Sequence, residues 1–174
     1  MFEFLLPFFL IVLVFFVLYI IWRINARKYI SSSTVASAYD AWTQDKLLER
    51  LWGEHIHLGF YPSGNKNIDF RKAKVQFVHE LVRWSDLDKL PKGSRILDVG
   101  CGIGGSSRIL AKYYGFNVTG ITISPAQVKR ARELTPSGLN CNFQVMDALN
   151  LKFEDGAFDA VWSVEAGAHM NDKT

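Results

Sequence analysis

The chain has 174 residues, enough for one domain, and 49% of them are hydrophobic. Its formal net charge is +3 with no block of like charge, which gives nucleic acid no footing. Cys101 and Cys141 have neither metal nor disulfide-framework spacing and fit a reducing compartment.

From the N-terminus, Phe4 to Trp22 carries no charge across 19 residues. As a helix this run is about 28 Å long, close to the roughly 30 Å of a hydrocarbon core. A membrane anchor is therefore expected, with Pro7 tolerated in the first turn and Tyr19 and Trp22 at the interface. A cleaved signal peptide is the rival, since Ala36-Ser37-Ala38 resembles a cleavage site. The n-region lacks a positive charge, however, and the run is too long and too far from that site. All twenty Lys and Arg lie beyond residue 22. Arg23, Arg27 and Lys28 follow the run at once. The positive-inside rule then puts the remainder on the cytoplasmic side, or the equivalent stromal side.

A polar connector, Ser31-Ser32-Ser33-Thr34, leads into a helical stretch carrying Tyr39, Trp42, Leu47, Leu48, Leu51 and Trp52. Gly53 to Tyr61 is an aromatic-rich segment that reads equally as a lid over a pocket or as a packed loop. Its histidines, His55 and His57, match no metal-ligand spacing, and no metal is expected. Asp69 starts a helix whose apolar stripe is Phe70, Ala73, Phe77, Leu81 and Trp84, with a basic face largely off it.

After the turn at Pro91-Lys92-Gly93, Ile96 to Val99 reads as a strand buried on both faces. Gly100, Gly102 and Gly104 follow as a tight turn, and Ser106 and Ser107 are candidate caps for a helix that Gly115 stops. A second strand runs Val118–Ile121 and ends in Thr122. Ser124-Pro125 opens a helix with Val128, Ala131 and Leu134 on one face. A third strand, Phe143–Met146, is closed by Asp147, and Phe158–Ser163 is a fourth. Strand and helix alternate, so an α/β fold with a parallel, doubly wound sheet is predicted. Its ligand crevice lies at the glycine turn.

Gly100, Gly102 and Gly105 also satisfy the dinucleotide pattern G-x-G-x-x-G, which is weak alone. Asp98, at the carboxyl end of the strand, would repel a pyrophosphate and attract a ligand bearing an ammonium and a sulfonium. A dinucleotide site also wants an acid about 20 residues on, and here Thr122 stands instead.

Leu97-Asp98-Val99-Gly100-Cys101-Gly102-Ile103-Gly104 resembles motif I of the class I S-adenosylmethionine-dependent methyltransferases. Tyr39-Asp40, Trp52 to Gly59, Gly120 to Pro125 and Trp162 to Met170 together look like the tocopherol and 2-methyl-6-phytyl-1,4-benzoquinol C-methyltransferase family. Sterol C-methyltransferases and cyclopropane synthases are similar more distantly. The resemblance implies a Rossmann-like sheet of which strands 1 to 4 are present, so the chain reads as an N-terminal part. It divides into an anchor and basic flank (1–28), a helical cap or lid (29–90) and the N-terminal part of a cofactor-binding methyltransferase domain (91–174).

The implied cofactor is S-adenosyl-L-methionine, and the implied partners are a bilayer and a lipophilic quinol. Asp98 with Val99, Gly100, Cys101, Gly102, Ile103 and Gly104 would hold the methionine end. Most relatives carry an acid where this chain has Thr122. Here Thr122 and Gln127, with Ile123 and Ser124, would meet the ribose. Asp147 and Ala148 would take the adenine, Tyr39 would lie over the cofactor, and Ser163 would flank the site. His169 and Glu165 are the candidate bases, with His55 and His57 as others; a hydrogen-bonded wall residue is the alternative for each. Two other function classes remain: a membrane-anchored dinucleotide oxidoreductase and a non-catalytic fragment.

Overall fold

The computed structural model describes residues 2–26, 34–63 and 67–170. Its centre is a four-stranded, all-parallel sheet in the order β3-β2-β1-β4. The strands are β1 (Arg95–Val99), β2 (Asn117–Thr122), β3 (Cys141–Val145) and β4 (Ala160–Ser163). The predicted α/β sheet and its strand sequence are therefore present. β1 is central and buried beyond its first residue, because Ile96, Leu97 and Val99 meet side chains on both faces.

The helices are α1 (Phe2–Ala26), α2 (Val35–Gln44), α3 (Leu47–Trp52), α4 (Phe70–Trp84), α5 (Gly105–Tyr114) and α6 (Pro125–Leu134). One sheet face carries Ile96, Val118 and Trp162 against Val78 and Val82 of α4 and Ile109 and Leu110 of α5. Phe143 continues that face against Val128 and Ala131 of α6. On the other face, Leu97, Val99 and Ile121 lie under Met146, Ala148, Phe153, Phe158 and Met170. The β3–β4 connection thus crosses this second face without a helix, while both earlier crossovers lie on the first. The strand order reverses between β1 and β4, so that is where an open α/β sheet places its crevice.

Several local expectations change. The stretch from Val35 to Trp52 is two helices, not one, because Lys46 adopts φ 55°. Asp45 Oδ1 accepts from the Leu47 amide at the break. Ser106 and Ser107 do not cap α5; Gly104 holds that position in the left-handed region, and both serines are buried inside the helix. The buried stripe of α4 is Ala73, Lys74, Val78 and Val82. Trp84, assigned to the core by periodicity, is 81% exposed. Ser124 and Pro125 open α6 as expected, with Ser124 Oγ accepting from the Gln127 amide.

The transmembrane expectation is corrected. Among the described residues no helix is long and apolar enough to cross a membrane. In α1 the described side chains are Pro7 and those from Phe9 to Asn25. Arg23, read as a flanking charge, pairs instead with Asp45 of the α2–α3 junction at 2.5 Å. Arg27 and Lys28 lie outside the described residues. The bilayer partner and the single-pass placement on a cytoplasmic or stromal side rested on this anchor and are withdrawn with it.

Candidate active site

The carboxyl ends of β1, β2 and β4 open into a cavity of about 400 Å³, within the usual range for small-molecule sites. Asp98 lies at its floor. In parallel register it sits beside Gly120 of β2 and Trp162 of β4. Its side chain turns toward α5, where Ser107 Oγ donates to Oδ2 at 2.5 Å. Asp98 is 2% exposed, and burial raises its pKa to about 6, with the Ser107 hydrogen bond opposing the shift.

The glycine turn is tied to β2, since the amides of Gly100 and Cys101 both donate to the Ile121 carbonyl at 2.9 and 3.0 Å. Two glycines differ in what forbids a side chain. A Cβ on Gly105 would lie 2.7 Å from the Glu54 carbonyl oxygen, so packing excludes it. Gly102 has φ 55°, and a Cβ there would meet nothing within 4 Å. Packing therefore leaves the space above Gly102 open, as a cradle for a ligand would require.

The strap Gly53–Tyr61 closes one side. Arg108, buried in α5, donates to the Ile103 carbonyl at 2.8 Å and to Glu54 Oε2 at 2.6 Å, joining turn and strap. Lys74, 4% exposed, donates to the carbonyls of Trp52 and His55 at 3.2 and 2.7 Å. Glu165 Oε1 accepts from the Leu58 amide at 3.0 Å. Glu165 itself has φ 54°, a conformation L-residues rarely adopt. Within the strap, His57 Nδ1 lies 2.7 Å from the Leu58 carbonyl and His57 Nε2 lies 3.1 Å from His55 Nδ1. Burial lowers both imidazole pKa values, that of His55 to about 3, with His57, Arg108 and Lys74 adding to its shift.

At the end of β2, Thr122 Oγ1 donates to Gln127 Oε1 at 2.7 Å. The hydroxyl proton of Thr122 is thereby used, and Gln127 is held with its amide nitrogen as the remaining donor. Asp40 of α2 accepts from Ser124 Oγ at 2.5 Å and from the Ala126 amide at 3.0 Å, docking α2 on the N-terminus of α6. That docking carries Tyr39 over the cavity, where its hydroxyl is hydrogen-bonded to His169 Nε2 at 3.0 Å. Burial raises the Tyr39 pKa. Asp147 Oδ1 accepts from the Leu149 amide at 2.9 Å, closing the turn after β3.

Of the residues named from sequence, Tyr39, His55, His57, Asp98, Gly100, Gly102, Ile103, Thr122, Ile123, Gln127, Asp147, Ala148, Glu165 and His169 line this one cavity. Val99, Cys101, Gly104, Ser124 and Ser163 do not. Val99 and Cys101 pack in the core, Gly104 starts α5, Ser124 caps α6, and Ser163 Oγ lies 3.5 Å from the Val99 carbonyl. Sequence reasoning missed Trp162 as a lining residue, and Lys74, Arg108 and Asp40 as the groups that hold strap and cap. None has a local signature, because the strap and cap partners of Lys74, Arg108 and Asp40 are at least 19 residues away in sequence. Among the described residues no three His, Cys, Asp or Glu side chains are grouped to hold a metal.

A parallel 3-2-1-4 sheet with a glycine turn over a buried strand-end carboxylate defines a Rossmann-like α/β domain with its crevice at the switch point. Residues 96–174 match the model of the methyltransferase domain family. The curated proteins the chain is similar to include phytylhydroquinone and tocopherol methyltransferases. It is 61% identical over 153 residues to the 2-methyl-6-phytyl-1,4-hydroquinone methyltransferase of a Synechocystis species, covering 88% of this chain and 48% of that one. It is 44% identical over 137 residues to the chloroplastic tocopherol O-methyltransferase of Arabidopsis thaliana, covering 73% of this chain and 39% of that one. The chain thus spans half or less of the length of these relatives. Among solved structures, a cyclase named SpnF is similar with a TM-score of 0.64 and 31% identity, over 76% of this chain and 48% of that one.

Proposed function

We propose that the protein is an S-adenosylmethionine-dependent C-methyltransferase of a prenylated benzoquinol, such as 2-methyl-6-phytyl-1,4-benzoquinol. The observation that carries the reading is Asp98: a buried carboxylate at the carboxyl end of β1, beside a glycine with open space above it. Both features suit the cofactor. An ionised Asp98 in this setting gains from a cationic ligand, and Gly102 leaves room for one. The acceptor class is supported by the 61% identity with the hydroquinone methyltransferase. The 44% identity with a tocopherol O-methyltransferase keeps γ-tocopherol as a second acceptor.

When bound, S-adenosylmethionine supplies an electrophilic methyl group on a sulfonium. Asp98 and the Gly100–Gly104 turn bind its methionine end. Gln127, oriented by Thr122, reaches the ribose hydroxyls, and Asp147 and Ala148 serve the adenine. Tyr39, braced by His169, covers the site from α2. α2 and the strap Gly53–Tyr61 act as a cap that keeps water from the reacting centre, so that positioning supplies most of the acceleration. Glu165 and His169, at the end of β4, are the groups to take the phenolic or ring proton.

Isothermal titration with S-adenosylmethionine and with NAD, followed by methyl transfer to 2-methyl-6-phytyl-1,4-benzoquinol, tests the reading. Binding of the first ligand alone is expected, with turnover, and both are expected to be lost in Gly102→Val. Binding of NAD, or undiminished S-adenosylmethionine affinity in that variant, would sink it.

A further inference from the structure

The strap contains a pair of histidines whose hydrogen bonds determine where their protons sit. A carbonyl oxygen can only accept, so His57 Nδ1, 2.7 Å from the Leu58 carbonyl, carries the hydrogen. A neutral His57 then has its lone pair on Nε2. His55 Nδ1, 3.1 Å away, must be the donor in that contact. A neutral His55 with its proton on Nδ1 has a bare lone pair on Nε2. The two rings are 9% and 8% exposed, and both titrate low through burial. Lys74 and Arg108 press the same way on His55, while Glu165 opposes the shift on His57. The neutral pair therefore persists through the physiological range.

His55 lines the cavity, and its Nε2 has no hydrogen-bond partner among the described residues. Its ring is fixed from behind by α5: a Cβ on Gly105 would lie 2.9 Å from His55 Cε1. His55 is thus a rigid acceptor at the wall of the site, unable to offer a proton from Nε2 without breaking the bond to His57.

We infer that His55 Nε2 receives a hydrogen bond from a ring hydroxyl of the acceptor, and that this fixed lone pair makes the site select the quinol over the corresponding quinone. The inference rests on the prenylquinol reading above and adds the residue that senses the acceptor's oxidation state. A quinol hydroxyl donates to the lone pair. A quinone carbonyl can only set a second lone pair against it, leaving two acceptors facing each other in a dry site. Sites built to pair with a hydroxyl reject analogues that lack it by large factors, up to about 10⁴–10⁵-fold. A cationic donor, such as an ammonium, is disfavoured here by Lys74 and Arg108. A proton-accepting role is disfavoured too, because an imidazole titrating near 3 is a poor base for a phenol. His55 is therefore a substrate-orienting acceptor, distinct from the groups that remove a proton.

The test compares equilibrium binding of 2-methyl-6-phytyl-1,4-benzoquinol, kept reduced by dithionite without oxygen, with binding of its benzoquinone, S-adenosylhomocysteine being present throughout. The wild type is expected to prefer the quinol by at least about 100-fold. His57→Leu frees the tautomer of His55, and His55→Gln offers an amide that can turn either way. Both are expected to bring the two affinities within about tenfold, mainly through tighter quinone binding, with S-adenosylhomocysteine affinity unchanged. Histidine ¹⁵N NMR of the unsubstituted protein reads the tautomer without a variant and should report His55 protonated on Nδ1. A proton on Nε2, no preference in the wild type, or a preference unchanged in both variants would overturn the inference while quinol binding kept the function reading intact. Failure of the wild type to bind the quinol at all would overturn both.

Discussion

Asp98→Asn should stabilise the protein while removing its cofactor affinity. Burial raises the folded-state pKa from the ordinary 3.8 to about 6. The folded protein therefore holds this proton more tightly than the unfolded chain does. Between those two values stability falls as pH rises, and above about 6 the full cost of the buried charge is present. The difference of about 2.2 pKa units corresponds to at most about 3 kcal/mol at 1.36 kcal/mol per unit. Asparagine cannot ionise, yet its Oδ1 still accepts from Ser107 Oγ, which donates to Asp98 at 2.5 Å. At pH 7.5 the variant should gain up to about 3 kcal/mol, or roughly 6–12 °C in Tm for a chain of this size. At pH 3.5 the two proteins should melt together. Titration at pH 7.5 should find S-adenosylmethionine binding lost, because the variant has no charge for the cation. The wild-type affinity should itself fall as pH drops below 6. A variant that is less stable than the wild type at pH 7.5, or a difference that does not change with pH, would refute the reasoning. A functional carboxylate held at a cost in stability is the expected signature of a binding site.

Two further substitutions probe the supports of the site. Thr122→Val removes the donor to Gln127 Oε1 and leaves that oxygen unpaired in a buried position; urea unfolding should show a loss of about 1–3 kcal/mol, and S-adenosylmethionine should bind about 0.5–1.5 kcal/mol more weakly. Unchanged affinity in the folded variant would remove Thr122 and Gln127 from the ribose assignment. Arg130 of α6 makes two hydrogen bonds to Glu49 of α3, at 2.8 and 2.7 Å, both side chains being partly buried. Arg130→Met should lower stability by about 1 kcal/mol at neutral pH. The hydrogen bond from Arg130 holds the Glu49 pKa below its ordinary 4.5, so this contribution is present above that value and fades as pH falls through the folded pKa. Melting curves of the two proteins should accordingly converge in acid, and a gap that persisted there would point to packing instead of charge.

What the sequence made legible was everything carried by local pattern. The apolar run Ile96–Val99, the glycines after it and Gly115 define β1, its turn and α5 without reference to anything distant. Ser124-Pro125 does the same for α6. The failures fall where distant contacts override local preference. Ser107 sits where a cap would be looked for, but the buried carboxylate of Asp98 recruits its hydroxyl into the helix interior. Lys74 reads as part of a solvated basic face, yet it is buried, donating to the Trp52 carbonyl at the end of α3 and to the His55 carbonyl of the strap. Lys46 breaks one apparent helix into two, and α3 then turns to bring Glu49 to Arg130. The anchor is the opposite case: an apolar count over Phe4–Trp22 predicts a span, and among the described residues no helix is long and apolar enough to be one.

The same contrast explains why the candidate site was read more completely on its cofactor side than on its acceptor side. The cofactor wall is built from strand ends and the first residues after them, so spacing along the chain predicts spacing in space. The wall proposed for the acceptor is a strap with no regular structure, and three of its residues are held from other elements: Glu54 by Arg108, the His55 carbonyl by Lys74, the Leu58 amide by Glu165. Glu165 shows how tightly the two walls are coupled. Its left-handed backbone would be strained in isolation. It stands between Val164, which packs against the core, and Ala166, which lies so close to Gly100 that a Cβ there would come within 2.4 Å. The chain at the end of β4 therefore has little freedom to relax, and the carboxylate is turned toward Leu58. A change that loosened this corner would release the strap and the glycine turn together, so acceptor and cofactor binding should weaken in concert.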